Sequence, residues 1–127
     1  NYGAAKLAQV GFMNSLKIEG AKNNIHTNTI APIAATRMTE SLIPEAVHSK
    51  LAPESVTPAA LFLVSEEAPN GVIMQAEGGR FSVASIVENT GAQLGVDATP
   101  EDIASNYDMI SDLEGAKPKG MMQINLP

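Results

Sequence analysis

The sequence contains no cysteine and no tryptophan, and aromatic residues make up only 4% of it. Without cysteine, disulfides and thiolate metal sites are excluded within these residues. No apolar run approaches the roughly 20 residues that a membrane-spanning helix needs, so membrane insertion is not expected. The 14 acidic residues outnumber 8 basic ones, for a net charge of −6. This balance argues against a nucleic-acid-binding surface, which needs a basic patch.

The composition that is present is typical of a globular chain. Its 127 residues are enough for one domain, with 44% hydrophobic and 17% charged residues and a mean hydropathy of 0.00. The chain begins at Asn1, without methionine, and passes directly into an apolar helical pattern. We expect from this start that the chain is cut inside a domain.

Helical periodicity runs over residues 2–22. Apolar or small residues recur there at spacings of three and four, at positions such as Leu7, Gly11 and Ile18. The apolar arc is wider than the single stripe of a surface helix. We therefore predict a helix that buries two faces, one against a sheet and one against a partner.

Strand patterns follow the first helix and recur later. Residues 25–31 alternate and are β-branched, which predicts a strand ended by Pro32. Residues 72–76 predict a second strand closed by Gly78 and Gly79, and residues 81–87 a further extended segment. Helices alternating with strands predict an α/β fold.

Four other segments have either a recognisable helix start or an irregular pattern. Thr57 as N-cap and Pro58 predict a buried apolar helix over residues 57–65, and Thr99 with Pro100 predicts a helix over about 99–113. Residues 33–52 form an irregular excursion long enough to be a lid. Residues 114–127, rich in Gly and Pro, are predicted to be an ordered arm or a disordered tail.

Tyr2 and Lys6 are the pair with the most chemical potential. Four residues apart on a helix, they stand on one face one turn apart. An adjacent ammonium stabilises a phenolate, which makes tyrosine a usable proton donor or acceptor. The spacing also arises often by chance, so an ordinary surface pair is the competing interpretation.

Several separate motifs in order give this pair a context. They are Asn1-Tyr2-Gly3-Ala4-Ala5-Lys6, Asn28-Thr29-Ile30-Ala31-Pro32, Thr36-Arg37-Met38, and Asn70-Gly71 before a strand ending at Gly78-Gly79. Together they resemble the C-terminal half of a short-chain dehydrogenase/reductase. Residues 19–26, 32–40 and the helix starting at Thr99 are similar to the (3R)-hydroxyacyl-CoA dehydrogenase unit of peroxisomal multifunctional enzyme type 2 and its bacterial relatives. The resemblance implies that residues 1–87 are the C-terminal half of a doubly wound parallel-sheet, Rossmann-like domain, with 88–127 a C-terminal extension.

The resemblance also implies roles for individual residues. Tyr2 would be the catalytic acid/base, and Lys6 would bind the nicotinamide ribose and assist Tyr2. Pro32 and Ile33 would lie beside the nicotinamide, with the Ile33 backbone N–H and C=O open to its carboxamide. Thr36 would contact the carboxamide or a phosphate of the cofactor, and residues 37–50 would form the substrate lid. Ile33 stands where the family commonly has glycine.

Other parts of the family pattern are absent. The glycine-rich turn that binds the pyrophosphate at a helix N-terminus is not in the sequence, and neither is the serine that precedes the tyrosine. We therefore expect that the N-terminal dinucleotide-binding half is missing and that the 127-residue chain alone is inactive. His26 and His48 lie on different elements without a carboxylate pattern, so no metal site is predicted.

The resemblance implies an NAD(P)-dependent oxidoreductase of fatty acid metabolism that oxidises a 3-hydroxyacyl-CoA to the 3-oxoacyl-CoA. NAD is favoured over NADP for an oxidation. The alternatives are a 3-oxoacyl-carrier-protein reductase that uses NADPH, and a non-catalytic structural or assembly fragment of a larger complex. The expected partners are an acyl thioester substrate and a second copy in a homodimer through helix 2–22. A peroxisomal or cytoplasmic location is favoured, with mitochondria as the alternative.

Overall fold

The computed structural model describes residues 1–118, so part of the predicted arm or tail, residues 119–127, lies outside the described residues. The chain divides into two compact units, Asn1–Ala84 and Ser85–Pro127. The first unit holds every residue of the predicted site. The two units are described separately below.

The first helix, α1 (Tyr2–Ala21), has 20 residues and confirms the helix predicted from periodicity. Val10 and Met13 are its buried residues. The helix stops where Asn24 adopts a left-handed φ of 56° and the N–H of Ile25 donates to the carbonyl of Gly20, 3.1 Å away. Asparagine tolerates this backbone conformation better than most residues, so the chain can turn here.

The first strand, β1 (Thr29–Ile33), lies further along the chain than predicted. Pro32 was predicted to end the strand, but it stands inside β1 opposite Ala76. The Thr29 N–H donates to the Val72 carbonyl, and alternate residues of a parallel strand bond to the same neighbour. Pro32 therefore directs its nitrogen away from β2, where the missing N–H breaks no ladder bond.

Two further strands complete the sheet of this unit. Strand β2 (Ile73–Glu77) runs parallel to β1, and β3 (Arg80–Ala84) runs antiparallel to β2, in the order β1-β2-β3. The turn between β2 and β3 is Gly78-Gly79, with φ values of 51° and 86°. Two successive positive φ angles suit glycine and let the chain reverse in a tight hairpin, which the sequence pattern did not predict. The sheet is mixed, because β3 reverses direction.

Helices cover the two faces of this sheet. Thr29 on one face contacts Met13 of α1, and Met74 and Phe81 on the other face lie against Pro58, Ala59 and Phe62. The second set of residues includes three from helix α2 (Thr57–Leu63). The unit is therefore a three-layer α/β arrangement, as predicted. Between β1 and α2 the chain forms turns and two short 3₁₀ helices, Glu45–Val47 and Pro53–Val56.

Two predictions about α2 are wrong. Thr57 is not an N-cap, because the 3₁₀ helix Pro53–Val56 runs straight into α2 and gives Thr57 a helical backbone (φ −52°, ψ −44°). A capping residue needs an extended backbone to turn its side chain onto the next N–H groups. The helix is also not buried: Ala59 is its one buried residue, while Leu61 and Val64 are exposed.

The second unit contains two short strands and two short helices. Strands β4 (Val87–Glu88) and β5 (Lys117–Pro118) pair antiparallel. The helix predicted over about 99–113 is instead two helices, α3 (Pro100–Ser105) and α4 (Tyr107–Ser111). They are separated at Asn106, where φ is −111° and the amide Nδ2 donates to the Asp102 carbonyl. The side-chain bond competes with continuation of the helix.

The predicted start of α3 is confirmed. Thr99 and Asp102 form a capping box in which each side chain accepts a hydrogen bond from the backbone N–H of the other. The Thr99 backbone N–H, and then its hydroxyl, lower the pKa of the Asp102 carboxyl from its usual range. Across residues 1–118, no helix is long and apolar enough to cross a membrane.

Candidate active site

Tyr2 and Lys6 meet in the first two turns of α1. The Lys6 ammonium nitrogen lies 5.4 Å from the centroid of the Tyr2 ring, within the range of a cation–π contact. Both side chains are exposed, Tyr2 by 66%. The helical spacing of four residues produces this contact directly. The predicted pair is thus brought together, with the phenol accessible to a ligand.

A cavity of about 520 Å³ opens beside this pair, between the first half of α1 and the sheet. Pro32 and Ile33, at the carboxyl end of β1, line it together with Tyr2 and Lys6. Four of the five predicted site residues therefore share one cavity. Its position at the carboxyl end of a parallel strand is where open α/β sheets bind ligands.

Thr36, the fifth predicted residue, is placed in the turn beyond β1 and does not line this cavity. Its hydroxyl lies 3.3 Å from the Met38 N–H, which donates to it. Its own N–H donates to the Thr39 hydroxyl at 2.8 Å, and the Thr39 hydroxyl lies 2.9 Å from the Ala34 carbonyl. Thr39 organises this turn and was missed, although two threonines three residues apart are a known turn pattern.

The backbone of Ile33 is less open than the sequence predicted. Because Thr29 bonds to β2, the alternation of the parallel ladder directs the backbone of Ile33 to β2 as well. Ile33 then presents its half-exposed side chain to the cavity, and Pro32 directs its carbonyl to the other edge of β1. A carboxamide would have to meet the chain immediately after the strand.

The sheet contributes polar residues that sequence reasoning missed. Gln75, Glu77, Arg80 and Ser82 line the cavity from β2 and β3. The Ser82 hydroxyl donates to Gln75 Oε1 at 2.8 Å, and Arg80 lies 4.0 Å from Glu77 in an exposed ion pair. Polar residues at every second position of both strands were the available indication, since alternate side chains share one face.

The two histidines have backbone partners. The His26 Nδ1 lies 2.8 Å from the Ala68 carbonyl, and the His48 Nε2 lies 3.0 Å from the Ile43 carbonyl. A carbonyl oxygen only accepts, so each of these ring nitrogens carries the proton. Within residues 1–118, no group of three or more His, Asp and Glu residues could hold a metal ion.

The chain is similar to several known proteins. The chain is 46% identical over 121 residues to a short-chain type dehydrogenase/reductase of Mycobacterium tuberculosis, covering 94% of this chain and 42% of the relative. It is 40% identical over 128 residues to peroxisomal multifunctional enzyme type 2 of Mus musculus, covering 97% of this chain and 17% of that protein. No protein-family profile matches the chain.

The fold leads to the same group. The structure of full-length peroxisomal multifunctional enzyme type 2 from Drosophila melanogaster superimposes with a TM-score of 0.78 at 30% identity, covering 94% of this chain and 22% of that one. The chain thus spans less than half the length of these relatives. In sequence and in its Rossmann-like α/β arrangement, the chain is a homologue of the short-chain dehydrogenases/reductases.

Proposed function

We propose that the full-length protein is a nicotinamide-dependent oxidoreductase that interconverts a secondary alcohol and a ketone at the cavity beside α1. The observation that carries this proposal is the placement of Tyr2 and Lys6 together at a cavity that β1 closes with Pro32 and Ile33. The relatives named as dehydrogenases and reductases support the same reaction class.

Tyr2 is the proton-transfer group in this proposal. In the oxidative direction the Tyr2 phenolate removes the proton of the substrate hydroxyl, while the carbon-bound hydrogen leaves with its electron pair as hydride. Nicotinamide, when bound, supplies the hydride acceptor. The Lys6 ammonium, one turn from Tyr2, stabilises the phenolate electrostatically. In the reductive direction Tyr2 returns the proton to the carbonyl oxygen.

The residues present fit the nicotinamide end of the cofactor. Lys6 carries three N–H donors suited to ribose hydroxyls, and Ile33 supplies an apolar wall for the ring. Thr36 has its hydroxyl in the turn that follows β1, and in this proposal it contacts the carboxamide or a phosphate of the cofactor. Residues 1–118 contain no glycine-rich strand-to-helix turn for the pyrophosphate. In this proposal the cofactor is therefore held only in part by these residues.

The proposed substrate is a 3-hydroxyacyl-CoA, oxidised to the 3-oxoacyl-CoA with NAD. Similarity to the peroxisomal multifunctional enzymes supports this substrate class, and the oxidative direction favours NAD over NADP. The peroxisomal relatives support a peroxisomal location, and a cytoplasmic or mitochondrial location is the alternative.

A homodimer through α1 is part of the proposal. At about 100° per residue, Tyr2, Lys6, Val10 and Met13 face the sheet. Leu7 and Phe12, which are 64% and 66% exposed, flank the outward side of the helix, and small residues lie between them. A helix that turns its apolar face outward needs a covering surface, and a second copy of the same helix offers a complementary one.

The test is an assay of the purified full-length protein. The assay follows the absorbance of reduced nicotinamide and compares three combinations. These are 3-hydroxyacyl-CoA with NAD, 3-hydroxyacyl-CoA with NADP, and 3-oxoacyl-CoA or 3-oxoacyl-carrier protein with NADPH. We expect the highest kcat/KM for the first combination. A preference for NADPH and the carrier-protein substrate would favour the reductase instead. No turnover with any pair would favour a non-catalytic role.

A further inference from the structure

Asn70 joins three separate parts of the first unit. Its Oδ1 accepts a hydrogen bond from the Thr27 N–H at 2.9 Å, and its Nδ2 donates to the Lys17 carbonyl of α1 at 3.2 Å. The adjacent Gly71 N–H donates to the Thr27 carbonyl at 2.9 Å. Asn70 thus ties the segment before β2 both to the segment before β1 and to the helix.

Asn28 makes the reciprocal connection. Its Nδ2 donates to the Pro69 carbonyl at 2.6 Å, and its Oδ1 accepts from the Val72 N–H at 3.0 Å. Two asparagine amides therefore hold the starts of two parallel strands, each satisfying one donor and one acceptor. Of the two, only Asn70 also reaches α1.

The side chain of Lys17 passes close to Gly71, just before β2. A side chain at Gly71, whose φ is 86°, would place its Cβ 2.3 Å from Lys17 Cδ. One turn earlier on α1, the Thr29 hydroxyl lies 3.2 Å from the sulfur of the buried Met13. The helix thus contacts the first strand at Met13, and Asn70 links it to the segments before the strands at Lys17.

The contacts at Met13 and Lys17 bear on the position of the N-terminus of α1. Tyr2 is 11 residues from Met13 and 15 from Lys17, or about 16 Å and 22 Å along the axis at about 1.5 Å per residue. A rotation of only a few degrees about Met13 would therefore displace Tyr2 by about 1 Å. Displacements of that size lower the rate of an enzyme substantially.

We propose that Asn70 is a positioning residue that sets the axial and angular placement of α1, and through it the position of Tyr2 and Lys6 relative to the end of β1. The proposal rests on the proposed function for its kinetic consequence. Its structural claim, that Asn70 holds α1 in place against the strands, does not depend on any activity.

Two substitutions separate the helix bond from the strand bond. Asn70→Ala removes both. Asn70→Asp keeps an oxygen acceptor for the Thr27 N–H but has no donor for the Lys17 carbonyl. Asn23→Ala is the matched control, because Asn23 is exposed in the nearby turn and has no side-chain hydrogen bond among the described residues. Each variant is made in the full-length protein.

The first readout does not need activity. Methionine methyl groups are labelled with carbon-13, and the Met13 resonance reports its packing against Thr29. We expect this resonance to move in both Asn70 variants and to stay in place in Asn23→Ala. An unmoved Met13 resonance in both Asn70 variants overturns the proposal, whatever the enzyme catalyses.

The second readout is kinetic. We expect both Asn70 variants to lower kcat about fivefold, the effect of one hydrogen bond, with the KM for the acyl substrate unchanged. Asn70→Asp retaining the wild-type kcat, or a loss of thermal stability without a change in kcat, would assign Asn70 a merely structural role. If the wild-type protein turns over no substrate, the proposed function is wrong and the Met13 resonance alone decides the placement of α1.

Discussion

The ammonium of Lys6 lies 5.4 Å from the ring centroid of Tyr2, one turn away on the same helix. The contact is local and depends on α1 alone, since both residues belong to its first two turns. The sheet contributes the other wall of the cavity, so the proposed reaction depends on how helix and strands are held together.

Replacement of Tyr2 by Phe tests its role as the proton-transfer group. We expect the full-length Tyr2→Phe enzyme to lose at least about 100-fold in kcat, because phenylalanine cannot exchange a proton with the substrate oxygen. The dissociation constant of the cofactor, measured by fluorescence titration, should change little. Tyr107→Phe is the control, since Tyr107 is the second of the two tyrosines and lies in the other unit. Unchanged turnover of Tyr2→Phe would rule out this role.

Replacement of Phe12 by Lys tests the homodimer. The exposed Phe12 ring lies on the outer face of α1, and a charge in an apolar interface is costly when it has no partner. We expect light scattering to show a shift of the full-length protein from dimer towards monomer. Lys22→Ala, an exposed change just beyond the helix, should leave the mass unchanged. A Phe12→Lys protein with the wild-type mass would place the interface elsewhere.

Two glycines of α1 should respond in opposite ways to alanine. At Gly20 a Cβ would lie 2.9 Å from the Ile25 carbonyl oxygen, so the backbone of the following turn must shift. At Gly11 no atom lies within 4 Å of the added Cβ. We expect Gly11→Ala to raise the free energy of unfolding by up to about 1 kcal/mol through helix propensity, and Gly20→Ala to lower it. Both substitutions are made in the full-length Phe12→Lys protein, in which a second copy does not cover the outward side of α1. Chemical denaturation measures both effects, and equal effects would refute the close approach at Gly20.

The capping box of α3 predicts a pH dependence. Thr99 lowers the pKa of the Asp102 carboxyl in the folded chain. The capping box therefore contributes to folding stability above the unfolded pKa of about 4, and this stability is lost as pH falls through the folded-state pKa. We expect the Thr99 amide resonance to move during acidification in the wild type but not in Asp102→Asn. Asp97→Asn serves as the control and should titrate like the wild type. A pH-independent Thr99 amide in the wild type would contradict the assignment.

The 127-residue chain by itself should be marginal in solution. Its buried apolar residues within the described part are few and small, namely Val10, Met13, Ala59, Ala68 and Ala76. Such a core offsets little of the conformational entropy that folding costs. We expect broad, non-cooperative thermal unfolding and binding of a hydrophobic dye. A sharp, monomeric unfolding transition would show that these residues are sufficient for a stable fold.

Periodicity and turn chemistry predicted much of the fold. The bounds of α1, the second strand, the Gly78-Gly79 turn and the Thr99 cap follow from local pattern, and the structure has them. The predictions were wrong where the structure of a segment depends on the segments next to it. Pro32 remains inside β1 because its nitrogen points away from β2, a fact that depends on which edge is paired. Thr57 lost its capping role because a 3₁₀ helix precedes it.

The candidate site divides in the same way. Tyr2 and Lys6 were predictable because a single helix turn relates them. For Gln75 and Ser82, alternation predicts only a shared polar face of each strand, and their place in the cavity depends on the pairing of β2 with β3. Asn70 belongs to the Asn70-Gly71 motif before the second strand, but its bond to Lys17 spans 53 residues and no local pattern indicates it.

The proline within β1 also affects how this protein would aggregate. In the described residues β1 pairs only with β2, and its other edge offers the N–H of Ile30 and none from Pro32. An edge short of donors is a poor template for stacking copies into cross-β fibrils. Association through this edge of β1 should therefore be amorphous and should not bind thioflavin.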